Sequence, residues 1–461
     1  MRWTWRGWLL APIVLIGMGK ITFVSAETMP DALVKAYQSN PQLNADRARQ
    51  RSVDENVPQA LAGYRPQIVA SLGAGLQAVR NLLPDSTFQS ATLRPWTIGV
   101  TVTQVLFNGF KTANSVRIAE SQVQSGRETL RNVGQGVLLD AVTAYMNVIS
   151  NQALVEAQRT NVDVLREILG TTRKRLDAGD VTPTDTAQAE ARLSRGQSDL
   201  NAAEVALAIS KATYTQIIGE APTQLAAAAT VDRLSPAGLQ QCTETALHEH
   251  PIVLAAGFDV DVAQSSIKAA ESGLLPTIAV QGSVSRSRQA DSTLGTYGTD
   301  QASVVAQMTA PIYDGGTAAA QTRQAKELAS QSRLVLDQVR NQAKAAVVSA
   351  WVSNEGTKTA LTAADSESRA AAVALAGVRR EAAGGQRTTI DVLNAQQDLT
   401  NARSRQILAQ RDRVIASYTL LSAVGRLDVR TLDLKTPDYL PDVHYHQVRD
   451  AWHGLRTPAG Q

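Results

Sequence analysis

The sequence predicts a mainly α-helical chain with some β structure, built from two long helical hairpins that are copies of one another, each carrying two strands. Three observations predict this. First, turn residues recur at a fixed offset. Gly179-Asp180-Val181-Thr182-Pro183-Thr184-Asp185 is matched by Gly385-Gln386-Arg387-Thr388-Thr389-Ile390-Asp391, 206 residues later. Leu106-Phe107-Asn108-Gly109 recurs at the same spacing as Ile312-Tyr313-Asp314-Gly315, Ala144-Tyr145 as Ala350-Trp351, and Gly219 as Gly425. Second, long Ala-rich helical patterns lie on either side of each turn. Third, two short regions switch to a period of two, the mark of strands.

Upstream of these matches the offset is 210: Pro41 pairs with Pro251, and Pro66 with Pro276. The four-residue loss falls between the paired strands, where a surface hairpin tolerates a change of length.

Taken in order, the chain begins with Arg2 and Arg6, an apolar run from Trp8 to Gly19, and small residues at Val24-Ser25-Ala26. This is the pattern of a secretory signal over residues 1–26. The first repeat spans 27–219. It opens with a helical pattern over 30–63, which Pro41 and Pro58 must kink or break. Ile68, Ala70, Leu72, Ala74, Leu76 and Ala78 then alternate with small polar residues. After a loop holding Asn81, Pro84, Asp85 and Ser86, so do Trp96, Ile98, Val100 and Val102. One apolar face and one small-polar face over roughly ten residues per strand is the signature of an outer-membrane barrel. Four strands cannot close a barrel, and an open edge is not viable in lipid. Two chains would supply eight strands and three would supply twelve.

Long helical patterns follow from Ala113 to Ala178 and from Thr317 to Ala383. About 65 residues at 1.5 Å each make a helix of roughly 100 Å, far longer than a membrane is thick. After the first tip, Ala189, Leu193, Gly196, Leu200, Ala203, Leu207, Ser210, Tyr214 and Ile217 form a heptad seam. In the second repeat (241–427), Gln406 and Arg413 interrupt the matching seam and are expected to face water or another chain. Residues 220–240 form a linker, with an Ala- and Pro-containing run over 220–235. Residues 428–461 read as a tail without helical period, partly wrapped on the outside and partly disordered.

Net charge is +3, which gives no electrostatic case for nucleic acid. The single cysteine, Cys242, excludes an intrachain disulfide and reads as a small buried hydrophobe. No catalytic constellation, phosphate loop or metal-spaced Cys/His set is present, so neither an enzyme nor a cofactor is expected. His250 fills the slot of Asn40, a structural role. His444 and His446 could chelate a metal only in an extended tail.

The tip charges are the informative ones. Asp185 and Asp391 each stand where an N-cap belongs, and Arg387 sits in the turn before Asp391. If chains form a tube, however, the inner tips converge on its axis. An inward carboxylate then becomes a ring of like charge that sets ion selectivity.

The order of strand pair, long helix, Gly tip and heptad helix, used twice, resembles the TolC family of outer-membrane efflux proteins. The most specific residues are Leu106-Phe107-Asn108-Gly109, Ala144-Tyr145-Met146-Asn147-Val148, Arg175 to Asp185, and Thr389-Ile390-Asp391-Val392-Leu393-Asn394-Ala395. The resemblance implies a homotrimer with a twelve-stranded outer-membrane β-barrel and an α-barrel tunnel in the periplasm. The tips (Gly179, Asp180, Val181, Gly384, Gly385, Gln386) would dock a periplasmic adaptor and an inner-membrane transporter of ABC or RND type. The resemblance places Asp391 at the pore constriction. Asn394 stands where the family often has a second acidic residue, which weakens a cation-selective ring. It makes Arg387 a gate latch to Thr184 and Asp185 of the neighbouring hairpin. Ala382 replaces an aromatic latch residue. The function implied is an exit duct for efflux or type I secretion. The alternative is a periplasmic coiled-coil adaptor or scaffold without a pore.

Overall fold

The computed structural model describes residues 26–82, 84, 87–291, 295–458 and 460. The signal expected over 1–26 therefore lies outside the described residues except for Ala26, as do Asp85 and Ser86 of the first strand loop. Three short helices come first: α1 (Met29–Ser39), α2 (Pro41–Asp54) and α3 (Asn56–Leu61). The first break falls at Asn40, whose side chain accepts from the Gln42 and Leu43 amides and caps α2 just before Pro41. The second falls at Glu55, before Pro58.

The first strand differs from expectation. It is split into β1 (Gln67–Ala74) and β2 (Gln77–Leu82), both antiparallel to the single long strand β3 (Phe88–Asn108). The break lies opposite Pro95, which has no amide to donate to the ladder. Its carbonyl instead accepts from the Gly75 amide at 2.9 Å. β4 (Thr277–Asp291) pairs with β3, and β5 (Gly295–Thr309) with β4. The sheet runs β1–β3–β4–β5, with β1 and β5 at its edges. The registers put Ile68, Val102, Val100, Ile98, Val284 and Val304 on one face, and Thr101, Thr103, Gln281, Ser283 and Ser303 on the other. On the polar face the Ser283 and Ser303 hydroxyls are 2.9 Å apart.

The long helices are α4 (Lys111–Asp177) and α8 (Thr317–Ala383), each of 67 residues. Their partners are α5 (Pro183–Ile218) and α9 (Thr389–Val424), each of 36 residues. Every bound of the second pair lies 206 residues after its twin in the first. Gly219 and Gly425 end α5 and α9 at φ 94° and 90°, the left-handed region open to glycine. Between the hairpins, α6 (Leu239–Glu249) and α7 (Pro251–Glu271) repeat the α1–α2 arrangement. His250 caps α7 as Asn40 caps α2, its Nδ1 accepting from the Ile252 amide at 3.2 Å.

The main core lies where α1, the middle of α4 and the ends of α5 and α9 meet, around Leu33, Tyr145, Tyr214 and Leu421. The Tyr145 hydroxyl lies 2.8 Å from the carbonyl oxygens of Glu27 and Ala226, joining the start of the first repeat to the linker. Burial pushes the Tyr145 phenol up to about 12, so it remains a donor. Cys242 is buried in a smaller cluster with Val347 and Leu420.

Two expectations are corrected. Arg413 faces neither water nor another chain: it is buried and donates to Asn354 Oδ1 at 2.8 Å and to Asp232 in the linker. Gln406 is half-buried and donates to Asp365 at 2.8 Å. Arg413 is thus held wholly inside the chain by polar partners, while Gln406 has one such partner and remains in part open to water. The tail is also more regular than its sequence suggests. It forms α10 (Pro441–Val448), which packs on α2. Asp442 pairs with Arg127 at 2.5 Å, and His444 Nδ1 lies 2.9 Å from the buried Asp54 carboxylate. His444 is thus engaged with a carboxylate on a helix, and not in an extended chelate with His446. Among the described residues no group of three or more His, Cys, Asp or Glu is placed to hold a metal ion.

Candidate functional site at the hairpin tips

Each tip is a helix stop followed at once by a helix start. At the first tip the Asp180 amide donates to the Arg175 carbonyl, and the Gly179 amide to that of Leu176, each at 2.9 Å. At the second, Gln386 donates to Glu381 and Gly385 to Ala382, at 2.9 and 3.1 Å. This double bond pattern turns the chain out of the helix and needs a left-handed residue. Gly179 at φ 81° and Gly385 at φ 76° supply it.

The helix starts differ from expectation in one respect. The N-caps are Thr182 and Thr388, not the aspartates. Asp185 and Asp391 stand three residues on, and their carboxylates accept back from the threonine amide and hydroxyl: 2.9 and 2.8 Å at Asp185, 3.0 and 2.8 Å at Asp391. This reciprocal box satisfies amides that a helix start leaves open. The threonine amide, then its hydroxyl, hold both carboxyls below the ordinary aspartate value.

The exposed turn residues at the extreme end are Gly179, Asp180, Gly384, Gly385 and Gln386, with Val181 half-buried. Thr184 is exposed in the first turn of α5, and Asp185 is half-buried beside it. Within the protomer Arg387 pairs with Glu381 at 2.9 Å, and this partner keeps its guanidinium firmly charged. Asn394 is exposed, and its Oδ1 accepts from Arg192 of α5 at 3.0 Å, so the two hairpins touch at this level.

Above the tips the hairpins are joined in two layers. Leu165, Leu169, Ala189 and Leu393 form an apolar layer. Higher up lies a buried polar knot that the sequence reading missed. Gln396 Nε2 and Thr400 Oγ1 both donate to Asn161 Oδ1, at 3.0 Å each, and Arg379 donates to Gln396 Oε1 at 3.1 Å. Gln396 and Thr400 stand four apart on one face of α9, a visible hint; Asn161 gives none. Gly196 lets α5 approach, since a Cβ there would stand 2.9 Å from Leu165 Cδ1. Between the two tips opens a cleft of about 550 Å³, lined by Ile168, Arg175, Asp180, Arg379, Thr389 and Val392 among others.

A sheet with one apolar and one hydroxyl-lined face, carried on two hairpins whose long helices reach roughly 100 Å, defines a channel-forming protein of an outer membrane. The chain belongs to the outer membrane efflux protein family, whose model matches residues 32–220 and 243–426. It is 40% identical over 455 residues to outer membrane efflux protein BepC of Brucella suis biovar 1 (strain 1330), covering 98% of this chain and 96% of that one. It is 24% identical over 343 residues to alkaline protease secretion protein AprF of Pseudomonas aeruginosa, covering 73% and 71%. The CmeC outer membrane channel of Campylobacter jejuni superposes with a TM-score of 0.76 at 13% identity, covering 92% of this chain and 89% of that one, a likeness of fold. The chain is therefore an outer-membrane efflux or secretion channel that extends into the periplasm, and the reading as a poreless adaptor is not favoured.

Proposed function

We propose that the chain forms, as a homotrimer, the outer-membrane exit duct of a tripartite efflux or type I secretion system. The observation that carries this reading is the sheet itself. Its edges β1 and β5 are open, one face is apolar and the other hydroxyl-lined, and it continues into the helical hairpins. Such edges are viable in lipid only when another chain pairs with them. Three chains give twelve strands and a lumen. The name of BepC speaks for efflux and that of AprF for protein secretion, so small molecules and unfolded proteins are both fitting cargo.

In this trimer the second tips converge on the axis. Asp391 lines the constriction, and Asn394, held by Arg192, forms an uncharged second ring. Arg387 latches to Thr184 and Asp185 of the neighbouring hairpin. The exposed turns at Gly179, Asp180, Val181, Gly384, Gly385 and Gln386 dock a periplasmic adaptor. Behind it stands an inner-membrane transporter of ABC or RND type.

The test joins assembly to selectivity. Light scattering corrected for detergent should give a trimer from outer-membrane extracts. In planar bilayers with a salt gradient, Asp391→Asn should move the reversal potential towards zero cation preference. A monomer would remove the shared barrel. A trimer with an unmoved reversal potential would take the selectivity ring away from Asp391.

A further inference from the structure

The outward face of the sheet changes character along its length. Near the helices it carries Ile68, Val102, Val280, Val304 and Val284. Towards the distal hairpin turns the same registers place Arg80, Arg94, Arg286 and Arg288 on it. Along β4, Arg286 stands two residues, about 7 Å, beyond Val284, in the row it shares with Ile98 and Leu72, so the basic side chains begin at the distal border of the apolar band. Trp96 is the cross-strand neighbour of Arg288. Aromatic residues of this kind stand where a membrane meets water.

The guanidiniums are arranged and not scattered. Asp300 accepts two bonds from Arg286 at 2.7 Å each and one from Arg288 at 3.4 Å, holding both against the sheet. Gly298 makes room for Arg288, because a Cβ there would overlap the guanidinium. The Arg80 guanidinium stacks 4.0 Å over the Phe88 ring. Among the described residues of this face, Asp300 is the one acidic side chain against four arginines. The periplasmic end of the same face shows no such band.

We propose that this distal band is a binding surface for the phosphates of the phosphorylated glycolipid that forms the outer leaflet of an outer membrane. The strands run from the periplasmic helices towards the exterior, so the basic rows meet the outer leaflet and not the inner one. Guanidinium forks match phosphate oxygens in geometry and charge. The band is continuous with the lipid-facing apolar surface, so acyl chains can lie on Val100, Val284 and Val304 while phosphates meet the arginines. Asp300 orients the basic side chains and leaves the band with net positive charge. The inference rests on the barrel placement of the sheet and is independent of the tip gate.

The test is native mass spectrometry of the detergent-solubilised channel. It uses purified bisphosphorylated lipid A, the same lipid A stripped of phosphate, and inorganic phosphate as competitor. The wild type should hold the bisphosphorylated form about tenfold more tightly than the stripped form, the factor for one charge-assisted contact. Millimolar inorganic phosphate should not displace it. The variant R94Q/R286Q/R288Q should lose that preference while its heat-modifiable oligomer band persists. Equal retention of the two lipids by the wild type would overturn the proposal, and needs no variant to fold. Displacement by inorganic phosphate would also overturn it, by making the band a free-anion site. Retention of neither lipid would instead strike at the barrel placement.

Discussion

The twin helices α4 and α8 have the same length and the same turns, yet they are buried very differently. Twenty-two residues of α4 are buried against ten of α8. α4 packs against α5, α7 and α9, and the core around Tyr145 closes over its middle. α8 leaves Leu334, Val348, Val352 and Val373 exposed, Val373 at 71%. Leu328 and Val335 are exposed as well, and Val348 and Val352 stand four apart on one face, while the heptad positions Asn341, Thr359 and Ser366 between the others are polar. Exposed apolar side chains grouped on one helix, as at Val348 and Val352, suit a contact with another helix. The contrast reverses in their partners, with fourteen buried residues in α9 and five in α5, so α4 and α9 form the middle of the protomer while α5 and α8 lie at its margins.

The most severe way to break this comparison is to charge the exposed apolar positions of α8. If the Val348–Val352 face packs against another chain, Val352→Asp should abolish the oligomer, because an unpaired buried carboxylate costs several kcal/mol in each protomer. The heat-modifiable oligomer band in outer-membrane extracts reads this directly. An unaltered band would mean that α8 faces water.

The second contrast lies at one seam position. Leu207 of α5 packs against the core, and its twin on α9 is Arg413. The arginine fastens the linker through Asp232 and Asn354. Burial pushes the Asp232 carboxyl up, but hydrogen bonds from Asn354 and Arg413 outweigh it and hold the group below the ordinary aspartate value. Arg413→Leu copies the first hairpin and strands these partners. It should cost about 2 kcal/mol once the partial exposure of Asp232 is allowed for. A depressed folded pKa adds stability above the unfolded value and loses it as pH falls through the folded one. The gap in thermal stability between wild type and variant should therefore narrow below the ordinary aspartate range. A gap that is independent of pH would mean that Arg413 acts through packing alone.

A smaller effect separates the two tips. The second carries Arg387 paired with Glu381, both about half exposed; the first has Val181 and Arg175 at those places. A pair so open to water adds little to stability, so its role must show in gating. Arg387→Ser should raise the closed-state conductance several-fold in planar bilayers. Glu381→Gln should lower it, because it frees the arginine for Thr184 and Asp185 of the neighbouring hairpin. Two changes of the same sign would sink the latch.

What was legible in the sequence was local. The Gly turns, the Pro positions and the period-two runs report backbone chemistry within a few residues, and the offset of 206 carried them into a duplicated fold. What was not legible depends on partners far along the chain. Arg413 looked like a broken seam because Asp232 is 181 residues away, and the Asn161–Gln396 bond spans 235. The tail hid α10 because its clamps, Arg127 and Asp54, belong to the first repeat. At the tips, Asp185 and Asp391 were read correctly as helix-start residues, but the cap itself is the threonine. A Thr-x-x-Asp spacing shows both partners without saying which one turns the chain.

That box allows the finest test of the difference between the tips. Thr182–Asp185 and Thr388–Asp391 have almost the same geometry. In each, the threonine amide and hydroxyl favour the ionised carboxylate and lower its pKa. Removing the hydroxyl with Thr388→Val should raise the Asp391 pKa. The pH at which cation selectivity disappears should then shift upward, because the carboxylate protonates earlier as pH falls. Thr182→Val makes the same chemical change at Asp185, which the proposed assembly puts away from the axis. It should leave the selectivity profile unmoved. Reversal potentials across a pH series read both variants in one experiment. Equal shifts would mean that both tips face the pore, and no shift in either would mean that the constriction lies elsewhere.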